Sequence, residues 1–66
     1  MYVVKLEQDG AIVGIFRADT GQVVKRVSVN PRATSAQAVG DTVSITREDG
    51  KVEIREGTTG QILRVV

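Results

Sequence analysis

The stretch "DTGQVVKRV", Asp19–Val27, returns 39 residues later as "TTGQILRVV", Thr58–Val66, in a chain of only 66 residues. A second echo surrounds the first. Asp9-Gly10 recurs as Asp49-Gly50, 40 residues apart, so the two copies differ by a one-residue slip. Copying of one supersecondary unit explains such spacing better than chance does. The residues between these marks are mostly β-branched, which with the Asp-Gly and Thr-Gly punctuation predicts short strands joined by tight turns.

"YVVKLE" (Tyr2–Glu7) is expected to meet "AIVGIFRA" (Ala11–Ala18) across Asp9-Gly10, a pair suited to a type I′ turn because both central residues need positive φ. "TVSITRE" (Thr42–Glu48) and "KVEIRE" (Lys51–Glu56) are expected to meet across Asp49-Gly50 in the same way. Val43, Ile45, Val52 and Ile54 alternate there with polar neighbours. A second turn follows each hairpin. In "ADTGQ" and "GTTGQ", Gly21 and Gly60 can take the left-handed conformation of a type I turn with a bulge. Third strands then return as "VVKRVSV" (Val23–Val29) and "ILRVV" (Ile62–Val66).

Between the copies, "NPRATSAQAVGD" (Asn30–Asp41) admits two readings. Asn30, Pro31 and Gly40 could cap, open and stop an Ala-rich helix. The alternative is an extended "ATSAQAV" that adds a strand to the second copy, and it is favoured because a dozen structureless residues would be unusual. The fold class is therefore all-β: one domain over residues 1–66, an antiparallel meander of six or seven short strands. Its repeated halves cover residues 2–29 and 33–66, as blade-like sheets or a small barrel or sandwich.

The order of signals in "ATSAQAVGDTVSITREDGKVEIREGTTGQILRVV" resembles a β-propeller blade, which runs to about 40 residues in four antiparallel strands. The first copy is then a blade lacking its first strand. The Trp-Asp dipeptide of the common blade repeat is absent, and Arg55-Glu56 stands there. The elements "SAQ", "GD", "VSIT", "DG" and "TGQ" also resemble those of short phage- or plasmid-type proteins. That likeness implies a structural or accessory role associated with a virion, and a location in the cytoplasm or the particle. Two blades cannot close a propeller, which usually needs four or more.

Composition narrows the chemistry. There is no Cys and no His, which excludes disulfides, thiolate and imidazole metal sites, and nucleophile pairs that rely on an imidazole base. No metal or cofactor is expected, and no enzymatic activity. The net charge of +1 comes from interleaved acids and bases, so no polybasic tail points to nucleic acid or membrane. No apolar run approaches a membrane span of about 18 residues, and "YVVKL" lacks the pattern of a secretory signal.

Candidate sites are few. Glu48-Asp49 and Glu53 to Glu56 are carboxylate pairs of the kind that can do acid/base work at separations of about 5 to 9 Å. Asp49 reads more simply as a turn former, and Glu53 as an outward residue alternating with Lys51 and Arg55. "DTG" at Asp19–Gly21 matches the aspartic-protease triplet, but the second copy has Thr58 in place of a second Asp. Lys25, Arg26, Arg47, Lys51, Arg55 and Arg64 could line a phosphate-binding surface. Nucleic acid is nonetheless the secondary reading, because Tyr2 and Phe16 are the only aromatic platforms.

The remaining expectation is association. Strands "AIVGIF", "VVKRVSV" and "ILRVV" carry apolar residues on both parities, so they want cover on two faces. A domain of this length is marginal without a disulfide, metal or partner. Tyr2, Val4, Ile62, Leu63, Val65 and Val66 are the expected interface, either with further copies of the chain or with a larger protein assembly.

Overall fold

The computed structural model describes residues 1–66. It contains seven strands: β1 (Tyr2–Glu7), β2 (Ile12–Arg17), β3 (Val23–Ser28), β4 (Ala33–Val39), β5 (Thr42–Arg47), β6 (Val52–Glu56) and β7 (Ile62–Val65). Strands β1 to β3 form one antiparallel sheet and β4 to β7 a second, each in chain order. The all-β meander is as expected, with the segment after Asn30 extended as β4. An isolated helix that short has little stability of its own, whereas β5 offers β4 a nearly complete row of backbone partners from Ala33 to Val39.

The sheets enclose a small core. Val13, Ile15, Val27 and Val29 come from the first half, and Ala33, Val43 and Ile45 from the second. Tyr2, Val4, Val24 and Ala36 pack around them. The small side chains of β4 let β1 lie alongside it, and the Glu56–Gln61 turn comes against β3 on the other side.

The echo in the sequence is matched in backbone detail. Gly21 N–H donates to Arg17 O at 2.8 Å and Gly60 N–H to Glu56 O at 2.8 Å, each glycine being left-handed with φ of 77° and 76°. Each turn thus closes over one more residue than the expected type I turn. Both third strands then carry a bulge at the same place. Phe16 faces Val23 while Ile15 faces Lys25, and Arg55 faces Ile62 while Ile54 faces Arg64. Val24 and Leu63 are the extra residues.

The first turns differ, and this is where the one-residue slip falls. Asp9 (φ 57°, ψ 30°) and Gly10 (φ 89°) take the expected type I′ dihedrals, closed by Ala11 N–H on Gln8 O at 3.0 Å, but Gln8 is left-handed too (φ 51°) and Ala11 is helical (φ −68°, ψ −24°), so the turn sits inside a longer connection from Glu7 to Ile12 with the same register as a two-residue loop. At the second site only Gly50 has positive φ, at 88°. Gly50 N–H donates to Arg47 O at 3.0 Å and Arg47 N–H to Lys51 O at 2.8 Å. This is a type I turn followed by a glycine bulge, a three-residue loop where two were expected. Local bonds favour it, since the Asp49 carboxylate accepts from Lys51 N–H and from the Arg47 guanidinium.

Side chains alternate with period two, so changing a hairpin loop by one residue exchanges the faces of its strands relative to one another. With a two-residue turn Glu48 would oppose Lys51 and Ile45 would oppose Ile54. In the structure Ile45 opposes Glu53 and Val43 opposes Arg55. Val52 and Ile54 therefore lie on the face away from Val43 and Ile45, and Glu53, read from sequence as outward, is only 3% exposed.

Equivalent glycines now have unequal roles. A Cβ on Gly10 would sit 2.0 Å from Ala33 O, and one on Gly60 would sit 2.6 Å from Val27 Cγ1, whereas Gly21 and Gly50 have no neighbour within 4 Å. Gly21→Ala and Gly50→Ala are expected to cost about 1 to 2 kcal/mol from left-handed strain alone. Gly10→Ala and Gly60→Ala should lose roughly 1 to 3 kcal/mol more through overpacking. Urea denaturation of the four variants checks this, and equal losses would contradict the packing described.

Candidate functional site

The buried Glu53 carboxylate is held between two guanidinium groups. Arg47 Nη1 lies 3.1 Å from Oε2 and Arg55 Nη2 2.8 Å from Oε1. Arg47 also binds Asp49 at the hairpin tip. Arg55 extends the chain the other way, donating to Gly60 O at 2.7 Å and to Ser28 O in β3 at 3.3 Å. No buried side-chain nitrogen or oxygen lacks a partner, which is the condition under which charges persist inside a protein.

This network corrects two expectations. Arg47 and Arg55 do not belong to a surface cation patch, because their side chains are only 16% and 11% exposed and both are engaged by Glu53. Glu53 does not alternate outward with Lys51 and Arg55; it shares the inner face with Arg55. A carboxylate 3% exposed and bonded by arginines on both sides is poorly placed to meet a substrate.

The other carboxylates resolve as turn and surface groups. Asp19 in "DTG" pairs with Arg17 at 3.1 Å in an exposed turn, and that hydrogen bond holds its carboxyl below the ordinary value. Asp49 is likewise held low, first by its hydrogen bond from Arg47 and then by that from Lys51 N–H. Glu48 pairs with Arg32 at 3.1 Å. No group of three or more Asp, Glu, His or Cys side chains converges on a point that could hold a metal ion. Two shallow hollows, of about 350 and 200 Å³, flank Met1 and Tyr2. No helix is long and apolar enough to cross a membrane.

Of the remaining cations, Arg26 is tied to Glu7 at 3.0 Å and stands 5.9 Å over the Phe16 ring. That cluster roofs Gly14, whose Cβ would meet Phe16 Cε1 at 2.8 Å. Phe16 is therefore a lid on the outer face of β2 and offers no open stacking platform.

The six residues expected at an interface divide into two sets. Tyr2 and Val4 are partly buried against the chain's own core, with the Tyr2 ring 2.7 Å from where a Cβ on Gly57 would be. Ile62, Leu63, Val65 and Val66 are all exposed. Strand β7 ends the four-stranded sheet and every one of its residues is exposed. Because Leu63 is the extra residue of the bulge, Ile62 and Val65 share one face, opposite Arg55 and Glu53. That is the inner face of the sheet, continuous with Val43 and Ile45. The facing sheet has only three strands, and Ile62 and Val65 remain 45% and 44% exposed.

The buried ionic chain is the feature that sequence reading missed. A signal for it exists: six residues separate Leu6 from Val13 and six separate Ile45 from Val52, but the Asp-Gly pair sits one position later in the second interval. No protein-family model and no curated protein matches this sequence.

Glu53→Gln would leave two guanidinium groups facing each other inside the protein. The expected loss is about 3 to 5 kcal/mol, read as a lowered urea midpoint, and an unchanged midpoint would contradict a structural role for the network. Acid should act through Asp19 and Asp49. Their folded pKa values are depressed, so the stability they confer is present above the ordinary carboxylate value near 4 and lost as pH falls through the folded values. Asp49→Asn should flatten the decline below about pH 4, and an unaltered slope in acid denaturation would count against the Arg47–Asp49 contact.

Proposed function

We propose that this chain is a non-enzymatic interaction protein that works as an assembly of identical copies joined through β7. The observation that carries this reading is the overhang: Ile62 and Val65 lie on the core side of a four-stranded sheet with no fourth strand opposite them. Apolar side chains left in water on a sheet edge invite association. Sequence adds a motive, since 66 residues with neither disulfide nor imidazole or thiolate metal site form a marginal core alone.

The likeness to short phage-type proteins and to propeller blades supports a structural or accessory role on a larger particle, with the assembly as the docking unit. The nucleic-acid reading is weaker than the sequence suggested. It loses Arg47 and Arg55 to Glu53 and loses Phe16 to the roof over Gly14.

Sedimentation velocity across micromolar concentrations is the test. The intact chain should sediment above monomer mass, and a variant with Ile62→Lys and Val65→Lys should shift to monomer while keeping its strand signal in circular dichroism. A sharp monomer at every concentration for the intact chain would overturn the proposal.

A further inference from the structure

We infer that the β5–β6 hairpin has two registers one residue apart, and that the buried Glu53 network is the latch that holds it in the observed one. The inference does not rest on how copies of the chain associate. In the second register Asp49-Gly50 forms a two-residue turn, Ile45 opposes Ile54, and Glu53 and Arg55 turn out to solvent. The first hairpin supplies a precedent within the same molecule. Its Asp9-Gly10 pair takes type I′ dihedrals, and its strands keep the register of a two-residue loop, with Glu7 opposite Ile12. Counted from each Asp-Gly pair, the equivalent partners in the second half are Arg47 and Val52, whereas the observed register sets Thr46 opposite Val52.

The repeat shows which residues the second register encloses. Val13, Ile15 and Val27 are core residues of the first half, and Val24 packs against them. At the 39-residue spacing of the Thr-Gly-Gln turns, every one of these has an apolar counterpart: Val52, Ile54, Leu63 and Val66. None of the four counterparts is buried in the observed register, and Leu63 and Val66 are 53% and 66% exposed. Strand β7 is tied to β6 by its own pairing and by the bonds that Val52 and Val66 exchange. A one-residue shift of β6 against β5 therefore turns this face of both strands inward together, toward Val43 and Ile45.

Opposed preferences set the balance between the two. The observed register encloses a carboxylate between two guanidinium groups with no buried polar atom left unpartnered. Exchanging such a group for well-packed apolar residues is often neutral or stabilising, and the second register makes that exchange with the chain's own residues. Against it stand the bonds of the three-residue loop, in which the Asp49 carboxylate accepts from Lys51 N–H and from Arg47. Arg55 adds its bonds to Gly60 O and Ser28 O, which it makes from the inner face. Two packings of one sequence held close in free energy by such opposition form a two-state element.

Cross-strand Hα–Hα contacts read the register, because antiparallel pairs without mutual hydrogen bonds bring their Cα atoms to about 4.5 Å. Arg47 N–H donates to Lys51 O, which makes Ser44–Ile54 and Thr46–Val52 the close pairs of the observed register. Ile45–Ile54 is a close pair of the second. The double variant Glu53→Thr with Arg55→Thr removes two of the enclosed charges and keeps residues that favour strands. Nuclear Overhauser spectra of the intact chain should show Ser44–Ile54, and those of the double variant should lose it and gain Ile45–Ile54. Asp49→Asn leaves Glu53 and Arg55 in place, favours the two-residue turn, and should add Ile45–Ile54 as a second, weaker peak. A folded double variant that keeps Ser44–Ile54 overturns the inference. If the double variant does not fold, Asp49→Asn decides: Ser44–Ile54 alone overturns the inference, and the added Ile45–Ile54 peak upholds it.

Discussion

A carboxylate enclosed between two guanidinium groups holds the second sheet in its observed orientation. Glu53 would be too costly to bury alone, and so would Arg47 or Arg55. Together they are mutually satisfied, and Arg55 carries the connection on to Gly60 O and Ser28 O. The sheet is therefore anchored to β3 by polar contacts at one side of the core, while Val43 and Ile45 pack against Val13 and Ile15 at its centre. Removing any one charge leaves the others stranded, which makes the arrangement specific to one register as well as adhesive.

The two halves of the chain show what that orientation changes. Glu7, Gly14, Phe16 and Arg26 occupy the places in the first half that Arg47, Glu53, Arg55 and Val65 occupy in the second, judged by their pairing across the strands. In the first half this face looks outward, and Arg26 bonds to Glu7 beside a phenyl ring. In the second it looks inward and the ions are enclosed. Val65, which opposes Glu53 as Arg26 opposes Gly14, is consequently an apolar residue at the rim of the core. The same inversion that buries Glu53 leaves β7 with a bare inner face, so stability and the proposed association surface have one origin.

Much of the architecture is legible in the residues. Asp9-Gly10 marked its turn, the recurring Thr-Gly-Gln marked two equivalent turns, and β-branched runs between turn signals, with loop length deciding for β4, located the strands to within a residue or two. The interior of the second half was not legible in the same way. Val52 and Ile54 look like core residues and Glu53 like a surface one, because period-two alternation states that neighbours point to opposite sides without stating which side is in.

Local chemistry thus determined from sequence alone that this chain is all-β, doubled, tightly turned and apolar at its carboxyl end. Those properties depend on dihedral preferences and on residues within a few positions of one another. Only the tertiary structure decided which face of the second sheet meets the core, which of two equivalent glycines is packed, and which apolar residues are left uncovered. Each of those outcomes turns on the length of one loop and on contacts between residues far apart in the chain, where a change of one residue reverses every side chain beyond it.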